Sequence, residues 1–72
     1  MSAGTALLIH VNGEERTVEA GARVTDLLAA LGLDPRTLAV ERNGEVLRRA
    51  SLGEVELADG DRLEIVRFVQ GG

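Results

Sequence analysis

The sequence contains no cysteine, no lysine, no tryptophan and no tyrosine, and Phe68 is its only aromatic residue. Without cysteine the chain has no disulfide, no thiolate nucleophile and no cysteine-ligated metal. Without lysine it lacks the usual Schiff-base nucleophile and any acceptor for lysine-linked chains of itself. Its longest apolar run is too short to span a bilayer and has no signal-peptide flanks. We therefore expect a cytoplasmic protein with no membrane contact.

Acidic residues outnumber basic residues in this chain. The net charge is −4, and the eight basic residues are all arginines spread along the chain. Nucleic-acid binding depends on a basic patch that neutralises phosphates, so no nucleic-acid partner is expected. Hydrophobic residues make up 44% of the 72 residues, which is typical of a small globular domain and too apolar for a disordered chain. We expect a single domain over residues 1–72, and a monomer.

Two Asn-Gly pairs, at 12–13 and 43–44, predict two β-hairpins, because both residues of such a turn need positive φ angles. Leu7, Ile9 and Val11 alternate with other residues before the first pair, as in a half-buried strand. The strand that follows this pair mixes charged with apolar residues, which indicates an edge position.

A helix is predicted between the hairpins, with Thr25 and Asp26 as its N-terminal cap or a start one or two residues earlier, and with Gly32 and Pro35 ending it. A last strand follows the turn at 59–60. The apolar face of the helix comprises Val24, Leu27, Leu28 and Leu31. The order ββαβββ predicts an α+β fold of the β-grasp, or ubiquitin-like, type: a mixed sheet of four to five strands packed on one α-helix.

Side-chain chemistry is sparse. His10 is the only histidine, and no nucleophile accompanies it in the pattern, so we interpret it as a sheet residue. The acidic residues at 14–15, 54–56 and 59–61 are interpreted as solvated surface. No P-loop or GxGxxG motif is present, and no metal ligand set is recognisable. We expect no catalytic residue, no metal site and no bound cofactor.

The C-terminal glycines suggest a different kind of site. Gly71 and Gly72 follow the last predicted strand directly, and residues without Cβ atoms can pass through a narrow channel. A terminal carboxyl, with a pKa of about 3.3–3.7, is ionised at neutral pH and must be activated before it can react as an acyl donor. We expect a flexible tail at 69–72 and a loose leader at 1–5; a merely frayed end is the alternative.

Four stretches resemble the sulfur carrier proteins of thiamine biosynthesis, the ThiS family: "VNGE" at 11–14, "DLLAALGL" at 26–33, "AVERNGEV" at 39–46 and "LADGDRLEIVRFVQGG" at 57–72. The resemblance covers nearly the whole chain in the same order and spacing. It implies a β-grasp carrier that is not itself an enzyme.

The resemblance also implies a use for the tail. A ThiF-like, E1-like adenylyltransferase would adenylate the carboxylate of Gly72 with ATP and magnesium, while Gln70 and Gly71 thread the partner's active site. A cysteine desulfurase or another sulfur donor would convert the adenylate to a thiocarboxylate. A ThiG-like thiazole synthase would then accept the sulfur.

A docking surface is predicted from strand alternation. If Leu63 faces the helix, Val66 and Phe68 point to the opposite face of the sheet, and Leu8 points there from the first strand. Exposed apolar residues on a small domain commonly mark a docking site. Arg67 falls at an inward position of this pattern, so we expect the alternation to fail near the tail.

Three alternatives stay open from the sequence. A carrier like the small subunit of molybdopterin synthase shares the fold and the diglycine tail. A ubiquitin-like modifier would pass its activated glycine to a lysine of another protein. A simple binding module would have an incidental tail.

Overall fold

The computed structural model describes residues 5–68, which form five strands and one α-helix. The sheet has the order β2-β1-β5-β3-β4, in which β1 and β5 run parallel and the other neighbours are antiparallel. The predicted mixed sheet on one helix is therefore confirmed, with β2 at an edge as expected. The elements are β1 (Ala6–Val11), β2 (Glu14–Glu19), α1 (Val24–Ala30), β3 (Leu38–Arg42), β4 (Glu45–Leu47) and β5 (Arg62–Arg67), with 3₁₀ turns at Pro35–Thr37 and Arg49–Ser51.

Both Asn-Gly pairs form the predicted hairpin turns. Asn12 and Gly13 have φ angles of 51° and 86°, and Asn43 and Gly44 have 52° and 88°. Positive φ at both central residues defines a type I′ turn, whose twist matches that of the flanking strands. Asparagine tolerates this conformation better than most residues with a side chain, and glycine adopts it without strain.

The helix begins one residue earlier than the predicted cap. Thr25 lies inside the first turn, so its assignment as the N-cap is wrong, whereas the Asp26 carboxylate accepts a hydrogen bond of 2.8 Å from the backbone N–H of Arg23. The N–H groups of Val24 and Thr25 donate to the carbonyls of Val55 and Leu52, at 3.1 and 3.2 Å. A neighbouring loop therefore satisfies donors that a side-chain cap would otherwise take.

The core lies between α1 and one face of the sheet. The helix contributes Val24, Leu27 and Leu28 of the predicted stripe, whereas Leu31 lies just past the helix end and is partly buried. The loop before β5 contributes two buried leucines. The opposite face, which we call the open face, has no layer over it among the described residues. The buried apolar residues are Ile9, Val11, Val24, Leu27, Leu28, Leu38, Val40, Leu52, Leu57, Leu63 and Ile65.

The two turn asparagines also hold β5 in the centre of the sheet. Asn12 Oδ1 accepts from the N–H of Ile65 at 2.8 Å, and Asn12 Nδ2 donates to the carbonyl of the same residue at 3.4 Å. Asn43 Oδ1 accepts from the N–H of Arg62 at 2.9 Å. Each amide side chain bonds to the backbone of β5 from a turn, so both hairpins are tied to the strand between them.

Asp61 corrects the interpretation of the 59–61 carboxylates as solvated surface. This residue is buried, at 5% exposure, and its carboxylate accepts hydrogen bonds from Arg42 Nε at 2.9 Å, Asn43 Nδ2 at 3.0 Å and the Ala58 N–H at 2.8 Å. Burial is the largest single influence and opposes ionisation, but the hydrogen bonds from Ala58, Asn43 and Arg42 together outweigh it and lower the pKa of Asp61. The ionised carboxylate therefore links β3, the turn after it and the start of β5.

Replacing Asp61 by Asn should lower the free energy of unfolding by about 2 kcal/mol at neutral pH, because buried donors lose a charged acceptor. The folded-state pKa of Asp61 is depressed. Its stabilisation is therefore fully present above the unfolded pKa of about 3.9 and disappears as the pH falls through the folded value. Urea unfolding between about pH 7 and pH 3 should show a weaker acid dependence in the variant.

Glu14→Gln provides the matched control, because it also removes one acidic charge, from an exposed position at the edge of the sheet. Equal stability and equal acid dependence of the two variants would contradict the role assigned to Asp61.

Candidate functional site

The tail predicted to carry the chemistry begins where the described residues end. Gln70, Gly71 and Gly72 lie outside residues 5–68, as does the 69–72 tail to which they belong. In the leader predicted at 1–5, only Thr5 is described, and its carbonyl accepts a hydrogen bond of 2.8 Å from the N–H of Ala20. The site is therefore built from β5 and its neighbours, which position the start of the tail.

The root of the tail is anchored to β3 by backbone bonding. The N–H of Phe68 donates to the carbonyl of Thr37 at 2.9 Å, which extends the β3–β5 ladder beyond Arg67. Asp34 shapes the 3₁₀ turn containing Thr37, because its carboxylate accepts from the backbone N–H of Arg36 at 2.9 Å and pairs with that guanidinium. Hydrogen bonds from the Arg36 side chain, and then from its backbone, lower the pKa of Asp34.

Val66 and Phe68 lie side by side on the open face. Val66 pairs directly with Ala39 of β3. Phe68 follows two residues later along the same chain direction and occupies the next outward position. Their exposed fractions are 54% and 52%. The structure therefore brings two of the three predicted docking residues together next to the tail, and their docking role stays a prediction.

Leu8 is exposed on the open face but lies at its other end. The parallel β1–β5 register pairs His10 with Arg62. Leu8 lies two residues before His10 on β1, and Val66 lies four residues after Arg62 on β5. At about 3.3 Å per residue, the two side chains are roughly 20 Å apart along the strands. Leu8 therefore forms no continuous surface with Val66 and Phe68.

Alternation along β5 continues to its end, contrary to the expectation that it fails near the tail. Arg67 pairs with Leu38 in an unbroken register, and it shares the side of the sheet that carries Leu63 and Ile65. Arg67 is nevertheless exposed, whereas Leu63 is buried. An arginine can occupy this position because the strand end reaches solvent, which allows its charged head to remain hydrated.

The open face carries more acidic than basic residues. The registers place Glu41 opposite Glu64, while Arg62 occupies the outward position before Glu64. On the far edge, Glu15 and Glu19 face the same side from β2. A surface of this kind attracts basic partners and repels acidic ones, and the attraction weakens with salt.

His10 lies on the open face as the predicted sheet residue. Its Nε2 is 3.8 Å from Glu15 Oε2, while its buried Nδ1 has no hydrogen-bond partner among the described residues. No three histidine, aspartate or glutamate side chains within residues 5–68 are grouped as metal ligands, and this part of the chain forms no pocket. The described helix is too short to cross a membrane.

Three neighbours of the predicted docking residues were not identified from the sequence. Ala39 lies beside Val66, Glu41 lies opposite Glu64, and Val46 of β4 pairs with Glu41 at the sheet edge. Val46 has 68% of its surface exposed, the largest fraction among the exposed large apolar residues. Its outward position could have been inferred from alternation in the second hairpin, whereas the cross-strand neighbours required the strand register.

Comparison with known proteins identifies relatives over nearly the whole chain. The ThiS family model matches residues 9–72. The sulfur carrier protein ThiS of Bacillus subtilis is 38% identical over 66 residues, covering 90% of this chain and 100% of the relative. A thiazole synthase of Paramagnetospirillum magneticum is 50% identical over 62 residues, or 86% of this chain. The chain spans only 19% of that synthase's length.

The fold has a solved counterpart at substantial sequence identity. The crystal structure of a thiamine biosynthesis protein (ThiS) from Geobacter metallireducens superposes with a TM-score of 0.75 and 40% identity, covering 92% of this chain and 100% of that chain. The family model and the relative cover nearly the whole chain, and the solved structure shares its fold. The chain belongs to the ThiS family.

Proposed function

We propose that this chain is a sulfur carrier for thiazole formation in thiamine biosynthesis. The C-terminal carboxylate of Gly72 is converted to the thiocarboxylate that holds the sulfur. The observation that supports this most directly is the position of β5. This central strand is held from both sides, and it leads past the exposed side chains of Val66 and Phe68 into the tail. A rigid body can dock through those side chains while the tail extends to the chemistry.

The first step is activation of the carboxylate. A terminal carboxylate is ionised at neutral pH and is a poor electrophile. An E1-like adenylyltransferase of the ThiF type binds ATP and magnesium, and an oxygen of the Gly72 carboxylate attacks the α-phosphorus. Pyrophosphate leaves, and the product is an acyl adenylate whose AMP is a good leaving group. ATP and magnesium are therefore bound by the partner in this proposal.

Sulfur transfer follows at the same carbonyl carbon. The terminal sulfur of a persulfide, formed by a cysteine desulfurase or another donor, attacks the adenylate and displaces AMP. A thiol then attacks the donor cysteine sulfur of the resulting acyl disulfide. The thiocarboxylate leaves on Gly72, and the thiol and the donor cysteine are joined in a disulfide. A ThiG-like thiazole synthase transfers the sulfur into the thiazole ring, and an oxygen from the acceptor substrate or from water replaces it on the carbonyl carbon, which restores the carboxylate.

Gln70 and Gly71 form the segment that enters the partner's active site in this proposal. From Val69 to Gly72 an extended chain reaches roughly 13 Å, and the two glycines present no side chain to the walls of a channel. The reacting carbon must therefore be presented close to where the body docks.

The relatives favour the thiamine pathway over the alternatives. The chain matches both a free-standing ThiS carrier and a region of a thiazole synthase. A carrier for molybdopterin synthesis and a ubiquitin-like modifier share the chemistry of activation, but neither name occurs among these relatives. The mass measurement below distinguishes the modifier, and reconstituted thiazole synthesis distinguishes the molybdopterin-type carrier.

Thiocarboxylate formation is the direct test. Incubation with ATP, magnesium, the adenylyltransferase of the same organism, a persulfide donor and a thiol should give the intact-mass increase expected for replacing one oxygen by sulfur. Deletion of Gly72 should abolish the increase, because the reacting carboxylate is displaced. No mass change with an adenylyltransferase that is shown to adenylate another ThiS carrier would contradict the proposal. Adducts on lysines of other proteins would favour the modifier.

Adding one alanine after Gly72 tests the position of the carboxylate. The extended protein should keep its fold and its partner affinity, but it should lose thiazole formation because its terminal carboxylate is displaced from the catalytic geometry. Reconstituted thiazole synthesis measures the effect, and intact mass checks that the added residue has not been trimmed. Undiminished thiazole formation by the untrimmed protein would exclude Gly72 as the sulfur-bearing residue.

Phe68→Ala tests docking through the exposed aromatic residue. Because Phe68 is half exposed, the change should alter the free energy of unfolding by less than about 1 kcal/mol. If Phe68 is a binding hot spot, partner affinity should fall by about 2 kcal/mol. Calorimetric titration with the adenylyltransferase measures this affinity, and Phe68→Leu should recover most of it. Unfolding of Phe68→Ala, or unchanged affinity, would contradict a docking role.

A further inference from the structure

The half of the open face nearest the tail combines exposed apolar side chains with two opposed carboxylates. We define the tail-side patch as Ala39, Val46, Val66 and Phe68, which lie on β3, β4, β5 and just beyond β5. Glu41 and Glu64 form a direct cross-strand pair next to this patch, and Val46 continues the same row on β4. Side chains in such a pair have Cβ atoms about 4.5–5.5 Å apart.

The two carboxylates have no cation of their own among the described residues. Like charges directly opposite each other on a sheet are unfavourable. Arg42 follows Glu41 but lies on the other face, where it pairs with Asp61 at 2.9 Å. The ion pairs within 4.0 Å are His10–Glu15, Arg23–Glu56, Arg36–Asp34 and Arg42–Asp61. Neither Glu41 nor Glu64 belongs to this set, and Arg62, although it shares their face, does not come within that distance.

The surroundings of the pair favour binding to a protein surface. Glu41 is already half-buried. Val46, at one end of the row, and Val66, in the next outward row, are both exposed. A partner that covers these valines removes water from the carboxylates, which strengthens their attraction to a cation. Two adjacent carboxylates match a guanidinium, whose planar arrangement of donors can bond to more than one acceptor.

Resting on the proposed function, we propose that Glu41 and Glu64 together bind one arginine of the thiazole synthase, while the tail-side patch packs on apolar surface around that arginine. A second copy of this chain is a poor occupant, because a two-fold interface would bring the same carboxylates from both copies together. The acidic residues elsewhere on the open face extend the preference for a basic partner. The pair thus gives the docking surface a charge requirement in addition to its apolar contacts.

The test measures affinity of the full chain for the thiazole synthase of the same organism. The double variant Glu41→Gln/Glu64→Gln should bind about tenfold or more weakly at low salt, and its affinity should depend less on salt than that of the wild-type chain. The isolated variant should be at least as resistant to thermal unfolding, because a like-charge repulsion is removed.

The matched control is Glu14→Gln/Glu54→Gln, which changes net charge equally but at exposed positions off the open face. This control should bind within about twofold of wild type. Equal affinities of the two double variants would overturn the assignment of the carboxylate pair, as would tighter binding when the pair is neutralised.

A separate assay distinguishes failure of this inference from failure of the proposed function. Wild-type chain that acquires the thiocarboxylate, but binds the synthase no better than the Glu41→Gln/Glu64→Gln variant, would overturn the inference alone. Wild-type chain that binds through the pair but acquires no sulfur would support the docking surface and contradict the sulfur-carrier function.

Discussion

The insertion of β5 between the two hairpins is the constraint on which the rest of this structure depends. Its parallel pairing with β1 covers only two residue pairs. The turn asparagines compensate by bonding to the backbone of β5, and Asp61 joins the start of the strand to Arg42 and Asn43. This one arrangement completes the sheet and buries Leu63 and Ile65 in the core.

A single short helix explains why the proposed docking surface lies on the sheet. The helix has seven residues, and its apolar stripe packs against one face of the sheet. The opposite face has no layer over it among the described residues, and alternation along β5 places Glu64 and Val66 there. The core and the proposed docking surface therefore use alternate residues of the same strand, so side chains on the open face can differ in charge without altering the core.

Position in the sheet gives several residues roles that their neighbours in sequence do not indicate. Asp61 resembles a solvated turn residue in the sequence, yet it is the buried acceptor of three hydrogen bonds. Thr25 resembles a cap in the sequence, but it lies inside the helix. Carbonyls of a loop about 30 residues further along the chain accept hydrogen bonds from the first two N–H groups of the helix. Leu8 has the same outward alternation as Val66, and only the offset between β1 and β5 separates them. Each difference arises from contacts between residues far apart in the chain.

Local pattern was sufficient for the elements themselves. Asn-Gly turns, the helical spacing from Val24 to Leu31 and the alternation before and after them determined the order ββαβββ, because turn geometry and amphipathic periodicity are properties of short segments. The resemblance to sulfur carriers came from the same stretches. Tertiary structure alone decided the burial of Asp61, the separation of Leu8 from Phe68 and the juxtaposition of Glu41 with Glu64. Strand register and side-chain hydrogen bonds across the sheet are fixed by long-range packing, which no short segment specifies.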